Sequence, residues 1–383
     1  MDLTRAFDAI TIEQLTAAGS TKWSRDPGTI GAWIAEMDFG TAPVVTEALH
    51  EHVRSAAFGY TPTSAKQDLS RAFAGFAERH YGWQIDPARV RPAPDVLAVL
   101  GAMIDHFTTG KVIVPTPAYM PFLTLPGVHD REVIQVPLVR EGQRWVYDLD
   151  ALAAAFDDGG ELLVLCNPHN PVGRVLEREE LLAIADVVES KGGRVFSDEI
   201  HAPLVFQGHT HVPYATLDER TAAHTITATS CSKGFNIPGL KCAQAILSNE
   251  ADAARWAQRC GAVEDGASRP GIVANVTAYD HGEPWLEGVL VYLDRNRRAL
   301  QELVSTRLPG VGYTPPEGTY LALLDLREAG LGQDPTDRLR SAGVSLTSGL
   351  ACGEAGAGHA RLTFATPLPI LTEIVERIAR VLP

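Results

Sequence analysis

Four segments hold residue types that could do chemistry together. They are Asn167-Pro-His-Asn-Pro-Val-Gly173, Ser197-Asp-Glu-Ile-His201, Ser230-Cys-Ser-Lys-Gly-Phe-Asn-Ile-Pro-Gly-Leu-Lys241 and Arg361-Leu-Thr-Phe-Ala-Thr-Pro367. A lysine amine, once its pKa is lowered, is a nucleophile and a general base. A planar guanidinium suits a carboxylate, which it can hold with two parallel hydrogen bonds. Taken singly, each segment has a plainer reading. Asn and Pro favour turns, so Asn167-Pro-His-Asn-Pro is a good turn. Asp198 after a strand could cap a helix. Lys233 in a Ser-rich loop could simply be solvated, and Arg361 could be a surface or salt-bridge residue.

The elements that would position them are legible. Residues 111–115 (KVIVP) and 161–166 (ELLVLC) read as short buried strands. Residues 179–192 then show helical spacing, with Leu181, Leu182, Ile184, Ala185 and Val188 on one side. Residues 194–197, 225–228 and 243–247 are further strand candidates. Strand, helix and strand with short links implies right-handed crossovers and a largely parallel sheet. Ligand groups gather at the carboxyl ends of such strands, where Asn170, Asp198 and Lys233 are expected. The last hundred residues read differently: a long helix over 285–308, strands near 320–326 and 361–365, and a final helix over 369–382. The turn-rich stretch 266–271 reads as the approach to a boundary. The expected division is 1–45 as an N-terminal segment packing with the small domain and the site entrance, 46–280 as a large domain, and 281–383 as a small α+β domain.

Composition sets the bounds. The 383 residues are 45% hydrophobic and 21% charged, as in an ordinary globular protein with a large core. Thirty-three basic residues stand against 47 acidic ones, a formal charge of −14, which argues against nucleic acid or an anionic membrane as a partner. Cys166, Cys231, Cys242, Cys260 and Cys352 form no CxxC pair, so reduced thiols in a cytoplasmic protein are expected. Residues 1–20 carry charges throughout, without the apolar centre of a signal peptide. No apolar run approaches the ~18–20 residues that span a membrane.

Asn170 and Asp198 are separated by 28 positions, and Asp198 and Lys233 by 35. That order and spacing resemble the class I/II aminotransferase family, fold type I of the pyridoxal 5′-phosphate (PLP) enzymes, over nearly the whole chain. The resemblance implies an α/β fold: a mostly parallel central sheet flanked by helices, with a smaller α+β C-terminal domain. It implies PLP as cofactor, an electron sink for a substrate carbanion. Lys233 would carry it as a Schiff base and, once displaced, remove the Cα proton. Asp198 would keep the pyridine nitrogen protonated, and Asn170 would donate to the ring phenolate. Ser230, Ser232 and Lys241 would meet the phosphate, with the start of a helix near Asp95 and Val96. Arg361 would hold the substrate α-carboxylate.

Further segments are similar to the cystathionine β-lyase-type C–S lyases, the MalY/PatB group. These are Trp33-Ile-Ala-Glu-Met-Asp-Phe39, Phe58-Gly-Tyr-Thr61, Pro117-Ala-Tyr-Met-Pro-Phe122, Asp198-Glu-Ile-His201 and Pro316-Glu-Gly-Thr-Tyr-Leu321. Tyr119 matches a ring that stacks on the cofactor. Tyr60 matches a tyrosine that reaches the partner subunit's phosphate, which implies a homodimer with shared active sites. His201 and Lys241 stand where aminotransferases usually have tyrosine and arginine. Ala202-Pro203 and Thr363 depart from the lyase pattern. The implied reaction is α,β-elimination from L-cystathionine or a related L-cysteine S-conjugate, giving a thiol such as homocysteine, pyruvate and ammonia, as in methionine biosynthesis. An aminotransferase acting on an amino acid and a 2-oxo acid is the alternative. A PLP-binding regulatory protein ranks third, because nothing resembles a DNA-binding element.

Other residues carry weaker signals. His209 and His211 could pair on a metal, but a solvated loop is the plainer reading, and no metal is expected. Cys231 reads as a packing residue rather than a nucleophile. His169 and His201 are expected to line the site, His201 with the better claim to function. Asp38 could touch substrate or cap a turn.

Overall fold

Seven strands form the main sheet of the computed structural model, which describes residues 3–382. They are β1 (Val90–Ala93), β2 (Lys111–Thr116), β3 (Val133–Pro137), β4 (Gly160–Cys166), β5 (Arg194–Asp198), β6 (Thr225–Thr229) and β7 (Ala243–Leu247), in the spatial order β1-β7-β6-β5-β4-β2-β3. The contiguous apolar runs of β2 and β4 are buried along almost their whole length, as befits strands covered on both faces. β3, β2, β4, β5 and β6 pair in parallel, whereas β7 is antiparallel to both its neighbours. The expected largely parallel sheet therefore holds, with one reversed strand. Between β6 and β7 lie only a four-residue helix, Cys231–Gly234, and a turn at Pro238–Leu240. No crossover helix returns the chain to the start of the sheet, so β7 runs back beside β6.

The helix between β4 and β5 spans Arg178–Ser190 and buries Leu181, Ile184, Ala185 and Val188, the stripe expected from spacing. Glu177 and Glu180 cap its start reciprocally. The helix Val96–His106 follows β1, with the Asp95 carboxylate accepting from the Ala98 amide at 2.9 Å.

Residues 266–271 are not simply a turn: Ser268 caps the helix Arg269–His281, which has a proline in its first turn. Proline favours that position, so a helix start reads from sequence as a loop. The next helix, Glu283–Arg307, is the long one expected. Beyond it, β8 (Gly312–Tyr313), β9 (Leu321–Asp325), β10 (Thr347–Ser348) and β11 (His359–Thr363) form an antiparallel sheet ordered β8-β9-β11-β10. The helix Leu368–Ala379 closes the described chain. The N-terminal segment joins this part: Ile30–Gly31 pairs in parallel with Val344–Ser345. No helix among the described residues is long and apolar enough to cross a membrane.

Candidate active site

A cavity of about 180 Å³ lies where β1, β4, β5 and β6 end. Cys166 and Asp198 are the last residues of β4 and β5, Ser230 follows β6, and Pro94 and Asp95 follow β1; all five line it. This is where a parallel sheet gathers ligand groups. The cavity walls also include Val96, Tyr119, Asn170, His201, Ser232, Lys233 and Lys241. Nearly every residue singled out in the sequence thus meets in one place.

Lys233 sits on the short helix Cys231–Gly234, and its Nζ donates to the Ala35 carbonyl at 2.8 Å. Its pKa is lowered to about 8, chiefly by removal from bulk water and then by the positive charge of Arg361. Asp198 moves the other way: burial pushes it up to about 7, against the Ile200 amide that donates to Oδ1 at 3.1 Å. Asn170 Oδ1 accepts from Arg361 Nη1 at 3.0 Å. Arg361 is buried behind it, and its Nη2 donates to the Trp33 carbonyl at 2.7 Å and to Thr347 Oγ1 at 3.1 Å. Its Nε has no acceptor. Arg361 therefore reaches the cavity through Asn170 rather than lining it.

The residues expected to meet a phosphate share one end of the cavity. Ser230 Oγ donates to the Cys242 carbonyl at 2.6 Å and accepts from the Ser232 amide at 3.0 Å. Lys241 holds a left-handed backbone conformation, φ 50°, and its Nζ meets Asp95 Oδ2 at 3.0 Å. Asp95 is thus engaged twice, by Lys241 and as the cap of the helix Val96–His106. The first amides of the helix Val96–His106 have no acceptor within the helix and carry its positive dipole end.

The Asn-Pro turn is held from the small sheet. Gly173 has φ 74°, and a Cβ there would lie 2.2 Å from Pro316 Cβ. A side chain would thus push away the segment that carries Tyr320. The Asn167–Pro168 and Asn170–Pro171 bonds in this turn are cis.

Asp38, His169 and His211 depart from expectation. Asp38 does not face the cavity: its carboxylate accepts from Lys22 Nζ and Trp23 Nε1, each at 2.8 Å, in a buried cluster. His169 does not line the site; its Nε2 meets the Pro117 carbonyl at 2.9 Å, and burial lowers its pKa to about 4. His211 is not in a solvated loop but buried, with Nε2 3.0 Å from Glu199 Oε2. No group of metal-ligating side chains is found among the described residues. Cys231 is buried beside Asn275, and burial pushes its thiol well up, as suits a packing residue. Tyr60 is fully exposed and lies outside this chain's cavity. His201 lines the cavity with an unpartnered Nδ1, and burial holds it neutral.

The structure adds residues that single segments did not disclose. Asn236, φ 55°, clamps the entry segment: its Oδ1 accepts from the Met37 amide at 2.8 Å, and its Nδ2 donates to the Met37 and Gly40 carbonyls at 2.9 and 3.0 Å. Thr363 donates to the Ile34 carbonyl at 2.9 Å, so threonine at this departure from the lyase pattern has its own partner. Ala35, Leu97, Ile200, Pro238 and Cys242 complete the walls. Asparagine tolerates the left-handed backbone better than most residues, which is the signal its type offers for Asn236, whereas Thr363 stands out in sequence only as a departure from the lyase pattern.

Residues 34–378 match the family model described as aminotransferase class I and II. A cystathionine beta-lyase from Corynebacterium glutamicum is 40% identical over 376 residues, 97% of this chain and 99% of the relative. Cystathionine beta-lyase PatB from Bacillus subtilis is 31% identical over 380 residues, 96% and 97% of the two chains. Among solved structures, the PLP-bound C–S lyase from Staphylococcus hominis superposes with a TM-score of 0.89 at 27% identity, covering 98% of this chain and 97% of that one.

Proposed function

Because the chain belongs to the class I and II aminotransferase family, we propose that it is a PLP-dependent C–S lyase. It acts on L-cystathionine or a related L-cysteine S-conjugate. With cystathionine, substrate and one water give homocysteine, pyruvate and ammonia. The observation that carries this reading is the full-length likeness to cystathionine β-lyases, joined to a cavity that holds Lys233, Asp198 and Asn170 with Arg361 behind it.

The residues present fit the cofactor. Ser230, Ser232, Lys241 and the amide end of the helix Val96–His106 would hold its phosphate. Asp198, buried and acidic, would meet its ring nitrogen; Asn170 its ring oxygen; Tyr119 its face. His201, with a free ring nitrogen, completes that wall. When bound, the cofactor withdraws electrons from the substrate Cα and makes its proton removable.

The chain's own groups do the rest. Arg361 binds the α-carboxylate and fixes which substituents of Cα face the lysine. Lys233, its pKa lowered to about 8, is partly neutral near neutral pH and takes the Cα proton on Nζ. The thiolate then leaves from Cβ, and the lysine ammonium formed by taking the Cα proton can protonate it.

A homodimer with shared sites, in which Tyr60 enters the partner's cavity, belongs to the same reading. Its support is three exposed apolar or aromatic side chains close together in sequence: Tyr60 is fully exposed, Phe58 63% and Val53 61% exposed in the single chain. The division 1–45, 46–280 and 281–383 completes the proposal. The deciding assay supplies L-cystathionine with no 2-oxo acid. Homocysteine, pyruvate and ammonia should form over many turnovers. A stall after one turnover, relieved by a 2-oxo acid, would make the protein an aminotransferase instead.

A further inference from the structure

Two donors from distant parts of the chain meet on one carbonyl oxygen. Lys233 Nζ donates to the Ala35 oxygen at 2.8 Å, and the Tyr320 hydroxyl donates to the same oxygen at 3.0 Å. Tyr320 is wholly buried, with its ring edge-on to His201 at 6.0 Å, and it does not itself line the cavity. Ala35 does. The flanking carbonyls are also engaged: Trp33 by Arg361 and Thr347, Ile34 by Thr363, Glu36 by Lys22. The segment cannot swing to follow the lysine, so the lysine amine comes to a fixed oxygen.

Resting on the lyase reading, we propose that Tyr320 is a positioning residue for proton transfer: through the Ala35 carbonyl it seats the Lys233 amine whenever that amine is free. One N–H of the amine is spent on the Ala35 oxygen, which confines the direction of the remaining nitrogen lone pair. The Cα proton is then taken along one line rather than from a spread of rotamers. The seat must also survive the lysine's absence. While Lys233 is covalently engaged with the cofactor, the Ala35 oxygen loses that donor, and a buried carbonyl left unpaired is unfavourable. The Tyr320 hydroxyl keeps it paired and in place. Burial raises the Tyr320 pKa, so the phenol keeps its proton and stays a donor. A phenylalanine would fill the same volume without this function.

The test compares wild-type and Tyr320→Phe holoenzyme on L-cystathionine carrying protium or deuterium at Cα. The expected result is a kcat lowered about tenfold, the worth of one hydrogen bond lost from the transition state, with KM within about twofold. The deuterium isotope effect on kcat should rise, because removal of the Cα proton becomes slower. The absorbance spectrum of the resting holoenzyme should stay unchanged, since the lysine is then off its seat. In the full-length chain stripped of cofactor, limiting acetic anhydride should label Lys233 several-fold faster in the variant, because the amine is no longer confined. Tyr313→Phe is the control: that hydroxyl faces the Arg297 carbonyl at 3.4 Å, away from the cavity, and its loss should change none of these readings. Should Tyr320→Phe fail to fold, Tyr320→Met removes the same hydroxyl. An unchanged kcat and isotope effect, or an unchanged labelling rate, overturns the proposal. So does a fall in kcat accompanied by an altered resting spectrum, which would mark a merely structural role. A wild-type enzyme that releases no pyruvate from cystathionine would overturn the lyase reading, while the labelling comparison would still decide the seat.

Discussion

Arg361 Nη1 and Asn170 Oδ1 lie 3.0 Å apart, joining the small sheet to the Asn-Pro turn of the large one. The guanidinium also holds the Trp33 carbonyl and Thr347, so one side chain ties three separate segments at the cavity. Arg361→Ala should lower kcat/KM by roughly a hundredfold, on the order of 2–3 kcal/mol for a charge-assisted bidentate contact. Arg361→Lys should recover little of this, because a single ammonium cannot reproduce the fork. Steady-state kinetics on cystathionine decide it; a lysine variant as fast as wild type would show that charge alone suffices.

Asp38 should prove structural. Asp38→Ala leaves the buried Lys22 ammonium without its counter-charge, and breaking such a pair typically costs about 3–5 kcal/mol. Urea unfolding should show that loss, and adding Lys22→Met to Asp38→Ala should recover part of it. Where the single variant stays folded, its KM should remain near the wild-type value. A KM raised at unchanged stability would return Asp38 to the substrate.

Asp198 should make stability depend on pH in the cofactor-free chain. Burial raises it from 3.8 to about 7. Between those values the folded chain holds a proton that the unfolded chain has lost, so this group's contribution falls as pH rises and is least favourable above 7. Asp198→Asn removes the penalty. Its thermal midpoint should exceed that of the wild type most above pH 7, and the gap should close as pH falls toward 3.8. At about 1.4 kcal/mol per pKa unit, the full gap is on the order of a few kcal/mol. A gap independent of pH would argue against a buried, titrating carboxyl.

Tyr60 should act across a subunit interface. Tyr60→Phe and Lys233→Ala chains, each inactive alone, should regain part of the activity when allowed to exchange subunits. A mixed dimer then contains one site with both residues intact. Exchange verified by mass spectrometry without recovered turnover would place Tyr60 outside the site.

The chemistry and its carrier were largely present in the order of the residues. Strand runs such as KVIVP, the stripe of the helix Arg178–Ser190 and the positions of Asn170, Asp198 and Lys233 after strands follow from local pattern, because period and burial are written into neighbouring side chains. What neighbours cannot encode is which distant groups meet. Asp38 reads in sequence as a substrate contact or a turn cap, yet Lys22, sixteen positions away, claims its carboxylate inside the core. His211 reads as solvated in sequence, yet in the fold it is buried with its Nε2 3.0 Å from Glu199 Oε2. The reversal of β7, the exposure of Tyr60 and the lowered pKa of Lys233 likewise arise only when the chain closes on itself. The Ala35 carbonyl is the clearest case. Its residue type says nothing, and its partners lie 198 and 285 positions away. Sequence determines which groups are available, but their distances, burial and shared partners, which set proton affinity and reach, belong to the tertiary structure alone.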